Sequence, residues 1–217
     1  MKTDLREMLP TDIRAVRDLH RGAFQGYLNT RLGNGYLDAF FSWFCRAEEA
    51  IAVCALQDGK IAGYVVGAPV GYSGRMSRAL LLPAGIGMLL RPWVLASRQI
   101  RAAAISRLLA VFGAPQAEQA PDLPEPVMSL VGIAVDDRLQ GQGIGQALLN
   151  RFERESRSRH AKALRLSVYA DNSAAHKAYV AAGWTHFPRN PPLADFFYKH
   201  LSAAPTPVDA TAQEMER

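Results

Sequence analysis

Apolar and polar positions alternate along this chain in two periods, and each period predicts its elements. Residues 127–135, VMSLVGIAV, are an apolar, β-branched run that predicts a buried strand. Ile144, Leu148 and Phe152 follow at spacings of four and predict an amphipathic helix. Between them, Asp136 and Asp137 lead into a glycine-rich turn, QGQGIG over 140–145. Residues 50–57 and 60–70 are two more apolar runs around Asp58-Gly59, a dipeptide that favours a two-residue hairpin turn. Residues 4–8 alternate as a first strand. Pro10, Thr11 and Asp12 read as a helix start with Thr11 as N-cap. Ile13, Val16, Leu19 and His20 then share one helical face running toward Phe24.

The same reading continues through the rest of the chain. Residues 25–35, QGYLNTRLGNG, separate two helices as a loop, and Leu37, Phe40, Phe41 and Phe44 give a helix over 36–46 a core-facing stripe. Residues 163–170 read as another strand. Asp171 and Asn172 cap a helix over 173–182, whose Ala174, Ala178 and Ala182 form a narrow packing face, and Gly183 ends it. Residues 184–187 and 195–201 are a last hairpin joined by PRNPPLA. Gly132, inside the strand over 127–135, marks a bulge or a packing accommodation.

Composition narrows the class. The 217 residues suffice for one domain with a real core. A formal net charge of +5 suits an anionic ligand and is too diffuse to argue for nucleic acid. Cys45 and Cys54, the two cysteines, have no metal spacing and read as buried thiols of a reducing cytoplasm. The N-terminal residues MKTDLREMLP do not read as a signal peptide. Residues 202–217 lack periodicity and predict a disordered tail behind a single domain over 1–201.

Residues 71–126 form a basic insertion between the third and fourth strands. It carries Arg75, Arg78, Arg91, Arg98, Arg101 and Arg107, with no acidic residue from 71 to 117. Apolar runs at 79–90 and 92–95 are interleaved, and Pro83, Arg91 and Pro92 interrupt any span. Three roles stay open: a helical wall over an acceptor site, a peripheral membrane contact, or an oligomer contact that would make a homodimer.

The chemistry of a strand, glycine turn and helix start is anion binding. Glycines let main-chain N–H groups approach a phosphate, and the helix N-terminus adds free donors. The turn is not G-x-x-x-x-G-K-[ST] and lacks the spacing of G-x-G-x-x-G. It does match Q/R-x-x-G-x-G/A at Gln140, Gly143 and Gly145. Downstream, NSAAHKAYVAAGW over 172–184 matches N-x-x-A-x-x-x-Y-x-x-x-G-F at Asn172, Ala175, Tyr179 and Gly183, with Trp184 in place of Phe. With both signatures in order, the chain resembles the GCN5-related N-acetyltransferase superfamily.

That resemblance implies an α/β acetyltransferase fold. Its central sheet is mixed and mostly antiparallel, flanked by helices, with the fourth and fifth strands splayed apart. It implies acetyl-CoA as cosubstrate and no metal. Gln140, Gly141, Gln142, Gly143, Ile144 and Gly145 would hold the pyrophosphate. The backbone of Ile133, Ala134 and Val135 would pair with pantetheine, with an N–H of Ile133 or Ala134 polarising the thioester carbonyl. Asn172 and Lys177 would complete the cofactor site, and Asn172 also reads as a plain helix cap. Tyr179 sits at the general-acid position.

No general base is evident. Ser129 is the polar residue of the fourth strand, and His20, His186 and Glu125 are remote candidates. His20 reads equally as a packing residue. The loop at 25–35 borders the acceptor pocket or is simply solvated, and Tyr27, Asn29, Arg31 and Asn34 would suit a polyhydroxylated or anionic amine. The leading expectation is acetylation of a primary amine on a small molecule, an amino sugar or its nucleotide-linked form. Protein or peptide N-acetylation and a non-catalytic acyl-CoA sensor are the alternatives.

Overall fold

The apolar run before the glycine turn is the middle strand of a seven-stranded sheet. The computed structural model describes residues 3–91, 121–188 and 194–201. In chain order its elements are β1 (Asp4–Glu7), α1 (Ile13–Ala23), α2 (Leu28–Arg31), α3 (Asn34–Arg46), β2 (Ile51–Gln57), β3 (Lys60–Pro69) and α4 (Tyr72–Leu90). They continue with β4 (Val127–Val135), α5 (Ile144–Ser158), β5 (Ala163–Tyr169), α6 (Ser173–Ala181), β6 (Thr185–Phe187) and β7 (Ala194–His200). The strands lie in the order β1-β2-β3-β4-β5-β7-β6. Every neighbouring pair is antiparallel except β4 with β5. This is the mixed, mostly antiparallel sheet that the sequence predicts.

Strand alternation sorts two cores, one on each face of the sheet. Ile51, Val53, Ala55 and Val65 face the side where α5 lays Ile144, Leu148 and Phe152, and where Tyr179 and Trp184 pack. Cys54, Tyr64, Val66 and Ala68 face the other side, against Val16 of α1 and Leu37, Phe40, Phe41 and Phe44 of α3. Tyr64, Phe41, Phe44 and Phe152 are among the largest fully buried side chains. Full burial of a side chain such as Phe contributes about 1.5–3 kcal/mol. The hairpin between β2 and β3 turns at Asp58 (φ 50°) and Gly59 (φ 75°), both left-handed as such a turn requires.

Several local expectations change. The N-cap position of the first helix falls on Asp12, not Thr11, and Asp12 makes no side-chain bond to that helix; its carboxylate is engaged on the turn before it. The Asp12 carboxylate accepts from the Leu9 N–H at 2.8 Å and from Arg6 at 2.6 and 2.9 Å. The loop at 25–35 contains a helical turn, α2. Pro83 does not break the insertion's helix: α4 runs through it from Tyr72 to Leu90. Its buried positions, Leu80 and Gly87, show why packing overrides the proline: Leu80 belongs to the α3-side core, and a Cβ on Gly87 would lie 2.6 Å from the Leu32 carbonyl oxygen. Arg75 finds Glu49 at 2.7 Å, and Arg91 reaches the Leu32 carbonyl at 3.4 Å. No described helix is long and apolar enough to cross a membrane. Arg98, Arg101, Arg107, the run at 92–95 and the tail at 202–217 lie outside the described residues.

The middle strand carries the feature that opens the fold. β4 and β5 pair only from Val127–Leu130 against Ala163–Leu166. On its other side β4 matches Gly132 to Val66 but Leu130 to Gly67, so Val131 is an extra residue without a partner. A bulge of this kind bends the strand that carries it. Beyond Val131, β4 stays on β3 and leaves β5. The bulged residue is Val131, next to the Gly132 that the sequence points to.

Hydrogen-bond alternation then fixes which backbone groups face the gap. The Asp136 N–H donates to the Ala62 carbonyl at 2.9 Å, one residue beyond the Gly63–Val135 pair. Opposite residues in an antiparallel pair alternately exchange both bonds and none. Ala134 is therefore committed to Tyr64. The N–H and C=O groups of Ile133 and Val135 point away from β3, into the opening.

Candidate active site

A cavity of about 380 Å³ lies where β4 parts from β5. Ile133, Ala134 and Val135 form one wall, Gln140, Gly141, Gly143, Ile144 and Gly145 a second, and Asn172 the rim. The fold thus gathers most of the cofactor residues expected from the two motifs. Gln142, Lys177 and Tyr179 are not among its lining residues. Gln142 instead accepts from Gln57 at 3.2 Å, which ties the turn to the end of β2. Lys177 is on the exposed side of α6. Ala23 and Phe24 of α1, Asp137 and Leu139 before the turn, and Ala175 and Ala178 of α6 complete the lining. Of the last pair, Ala175 is a position of the second motif and Ala178 belongs to the alanine spacing in α6. Nothing in the local sequence indicated that the end of α1 would reach this cavity.

The turn is built to present bare backbone. Asp136 accepts from the Arg138 N–H at 3.0 Å and from its guanidinium at 2.9 and 2.7 Å. The Arg138 side chain, followed by its N–H, holds the Asp136 carboxyl down at about 2. Gln140 donates to Asp137 at 2.8 Å. Gly141 and Gly143 have φ of +77° and +80°, and no heavy atom lies within 4 Å of where a Cβ would sit on either. The constraint at both positions is therefore conformational, and the space before them is open. Gly143 is the N-cap of α5, with no side-chain capping bond. The first N–H groups of the helix are left for another acceptor. Open space, free donors and a helix N-terminus fit a pyrophosphate.

Asn172 takes the cap role and stands at the cavity rim. Its Oδ1 accepts from the Ala175 N–H at 3.1 Å, capping α6, while the residue still lines the cavity. Tyr179 is buried, with its ring centroid 5.5 Å from Phe197 and 6.0 Å from Trp184. Burial, then the Tyr27 phenol, pushes its hydroxyl up to about 12. Tyr64 is raised as well, by burial first and then by Tyr179.

On the expected acceptor side, Tyr27 stands edge-on to Phe24 and to Tyr169, each at 4.9 Å. Burial, with Tyr169 and Asp171 nearby, raises the Tyr27 hydroxyl. Asn29 Oδ1 and Thr30 Oγ1 are buried without partners among the described residues. Arg31 and Asn34 are exposed, and Asn34 accepts from Arg21 at 3.1 Å.

The candidate bases disperse. Ser129 pairs across to Ala68 and Arg165, in the part of β4 where the sheet is closed. Glu125 precedes β4, on the order of 25 Å along the strand from Ile133. His186 faces Asp195 at 3.1 Å. His20 is buried in the α1 side of the core.

A profile of the acetyltransferase (GNAT) family matches residues 13–184. Solved structures share the fold at low identity. Ard1 from Thermoplasma volcanium is 15% identical, with a TM-score of 0.57 over 93% of this chain and 99% of that one. The ribosomal-protein-S18-alanine N-acetyltransferase from Escherichia coli is 17% identical, with a TM-score of 0.55 over 95% and 99%. AAC(6')-Iy, solved with the bisubstrate analog CoA-S-monomethyl-acetylneamine, is 15% identical, with a TM-score of 0.59 over 87% and 95%. No curated protein sequence matches the chain. The profile covers the parted strands, the bare glycine turn and the capped α6 alike, so the chain belongs to the acetyltransferase (GNAT) family, whose chemistry is acetyl-CoA-dependent N-acetylation.

Proposed function

We propose that the protein acetylates the primary amine of a small molecule, an amino sugar or nucleotide-linked amino sugar, at the expense of acetyl-CoA. The observation that carries this reading is the convergence of two sets of free backbone donors on one cavity. Main-chain groups of Ile133 and Val135 open into it from β4, and the 141–145 turn opens into it from α5.

Acetyl-CoA supplies an activated acyl group as a thioester. The turn amides bind its pyrophosphate, and Asn172 and the outward-facing groups of Ile133 and Val135 orient the pantetheine arm. An Ile133 N–H aimed at the acyl carbonyl oxygen stabilises the negative charge that develops there. Ala134 cannot take that role, because its N–H is directed at β3. Tyr179 Oη keeps its proton at neutral pH and donates it toward the departing sulfur. Full transfer from a phenol at about 12 to a thiolate with an ordinary value of about 8.5 is uphill, so a strong hydrogen bond is its main contribution. An acceptor amine of low pKa, or a water, takes the place of a side-chain base.

The acceptor class rests on the chemistry beside the cavity. Phe24, Tyr27 and Tyr169 form an aromatic series suited to the apolar face of a sugar ring. Asn29 and Thr30 hold buried oxygen atoms in need of partners. α4 packs on α3 and on Leu32 just after α2, as a wall for that side. The test is thiol release from acetyl-CoA against amino sugars, nucleotide amino sugars, aminoglycosides and peptides. Turnover confined to peptides would replace this reading with protein N-acetylation. Acetyl-CoA binding without turnover of any amine, indifferent to loss of Tyr179, would make the protein a sensor.

A further inference from the structure

Outside the cavity, three metal-ligating side chains converge from three elements. His176 comes from α6, His186 from β6 and Asp195 from β7, and their donor atoms all lie within 4.8 Å of one another. We propose that these residues form a binding site for a divalent transition metal, zinc above all, separate from the acetyl-transfer chemistry.

The spacing along the chain gives no sign of this, because strand register assembles the site. His186 is opposite Phe197 in the β6–β7 pair. Asp195 is two residues from Phe197 on the same strand, so it projects from the same face as a diagonal neighbour of His186. α6 covers that face and brings His176 down onto it. Phe197 lies under both imidazoles, with centroids at 5.1 Å from His176 and 5.0 Å from His186, and holds the rings in place.

The geometry matches the needs of a tetrahedral ion. Ligand atoms about 2.0–2.1 Å from zinc stand about 3.3 Å from each other. His186 Nε2 is 3.1 Å from Asp195 Oδ2, and His176 Nε2 is 3.9 Å from the same oxygen. Of the three pairs, the first is at ligand spacing, the second needs to close by about half an ångström, and the two imidazole nitrogens, within 4.8 Å of each other, have the furthest to close. Two imidazoles on one tetrahedral ion place their ring centroids about 5 Å apart; here they are 5.6 Å apart. Two imidazole nitrogens and one carboxylate favour zinc and its neighbours over magnesium or calcium. The His side chains keep 21% and 40% exposure, so an ion can enter and retain a water.

An ordinary ion pair accounts for only half of this arrangement. His186 alone satisfies Asp195, and a second imidazole aimed at the same oxygen adds a like charge if both are protonated. His176 Nε2 also lies 3.3 Å from the Tyr169 carbonyl. Metal binding moves that ring's proton to Nδ1 and releases the carbonyl. In return it ties α6, which carries Tyr179 and is capped by Asn172, to the terminal hairpin.

The experiment uses full-length protein without a histidine tag, dialysed against a chelator and titrated with Zn²⁺ by calorimetry, then with Co²⁺ by absorbance. One equivalent of each should bind, and zinc should raise the Tm. The Co²⁺ spectrum should show visible d–d bands without thiolate charge transfer. His176→Gln, His186→Gln and Asp195→Asn should each weaken affinity at least about 10-fold. Metal-free melting curves show whether each variant is folded, and His176→Gln, at the rim, serves if Asp195→Asn is not. No stoichiometric uptake, uptake indifferent to all folded variants, or a thiolate spectrum pointing to Cys45 or Cys54 would each overturn the site.

Discussion

His20 Nδ1 sits 2.6 Å from the hydroxyl of Tyr64, inside the core between α1 and the sheet. Phe24, Phe40 and Phe41 pack around the imidazole, and its Nε2 has no partner among the described residues. Burial pushes His20 down to about 4, so it is neutral at pH 7. The phenol's one proton is then available to Nδ1. Of the two readings that the sequence left open for His20, this geometry supports packing with a satisfied partner.

That pair predicts a pH dependence of stability. An unfolded chain takes up a proton on His20 below about 6.5, whereas the native chain refuses it until about 4. Stability is therefore whole above pH 6.5 and falls as pH drops through that window, by roughly 3 kcal/mol in total. Asp136, held at about 2 by Arg138, acts only below the window. Urea denaturation at pH 7 and pH 4.5 should show the loss in the native protein and a much shallower one in His20→Gln. Equal slopes in the two proteins would remove His20 as the cause.

Tyr179→Phe deletes the hydroxyl and keeps the ring against Phe197 and Trp184. If that hydroxyl donates to the leaving sulfur, kcat should fall by about 10²-fold with acetyl-CoA affinity unchanged. Steady-state kinetics beside calorimetric binding separate the cases. Weaker binding at an undiminished kcat would make Tyr179 a positioning residue.

Gly143→Ala tests the turn. The position has φ +80° and open space around it, so the new Cβ meets no atom of the protein. Strain from the left-handed backbone should cost about 1–2 kcal/mol of stability. The methyl group would intrude on a phosphate drawn to the α5 N-terminus. Acetyl-CoA affinity should drop well beyond the change in stability, and calorimetry showing an unaltered Kd would refute the pyrophosphate assignment.

How much of this was legible in the sequence follows from how local each signal is. The glycine turn, the Asn172 cap and the Asp58-Gly59 hairpin are set by residues within a few positions, and each appears where its pattern places it. The extent of β4 was equally clear from its apolar run, whereas its bulge shows only in register against β3, one residue from the Gly132 hint. The N-cap position fell on Asp12 and not on Thr11, and Arg6 of β1 holds the Asp12 carboxylate on the turn before the helix. Pro83 stayed helical because α4 has a neighbour to pack on. Phe24 in the cavity wall and Asp195 between two histidines are products of tertiary assembly, invisible to any window of sequence.

The bulge also makes a stability prediction, through the glycine beside it. Gly67 is the β3 residue opposite Leu130, where the register slips. A Cβ there would lie 2.4 Å from Phe152 Cε2 and 2.6 Å from the Ser129 carbonyl oxygen. Phe152 is fully buried between sheet and α5 and has little room to turn. The Ser129 oxygen belongs to the backbone of β4, so relieving that contact means moving the strand itself. Gly67→Ala should therefore destabilise by about 3 kcal/mol, the upper part of the range for overpacking a core. At about 2–4 °C per kcal/mol for a protein of this size, the Tm should fall by roughly 6–12 °C. Gly22 supplies the control. It is exposed near the end of α1, with ordinary φ and nothing within 4 Å of an added Cβ. Gly22→Ala should raise stability by about 0.4–1 kcal/mol by restricting the unfolded chain. Calorimetric melting of both variants decides the matter. If Gly67→Ala melts within a degree of the native protein, the close approach of β3 to Phe152 and β4 at the bulge is wrong.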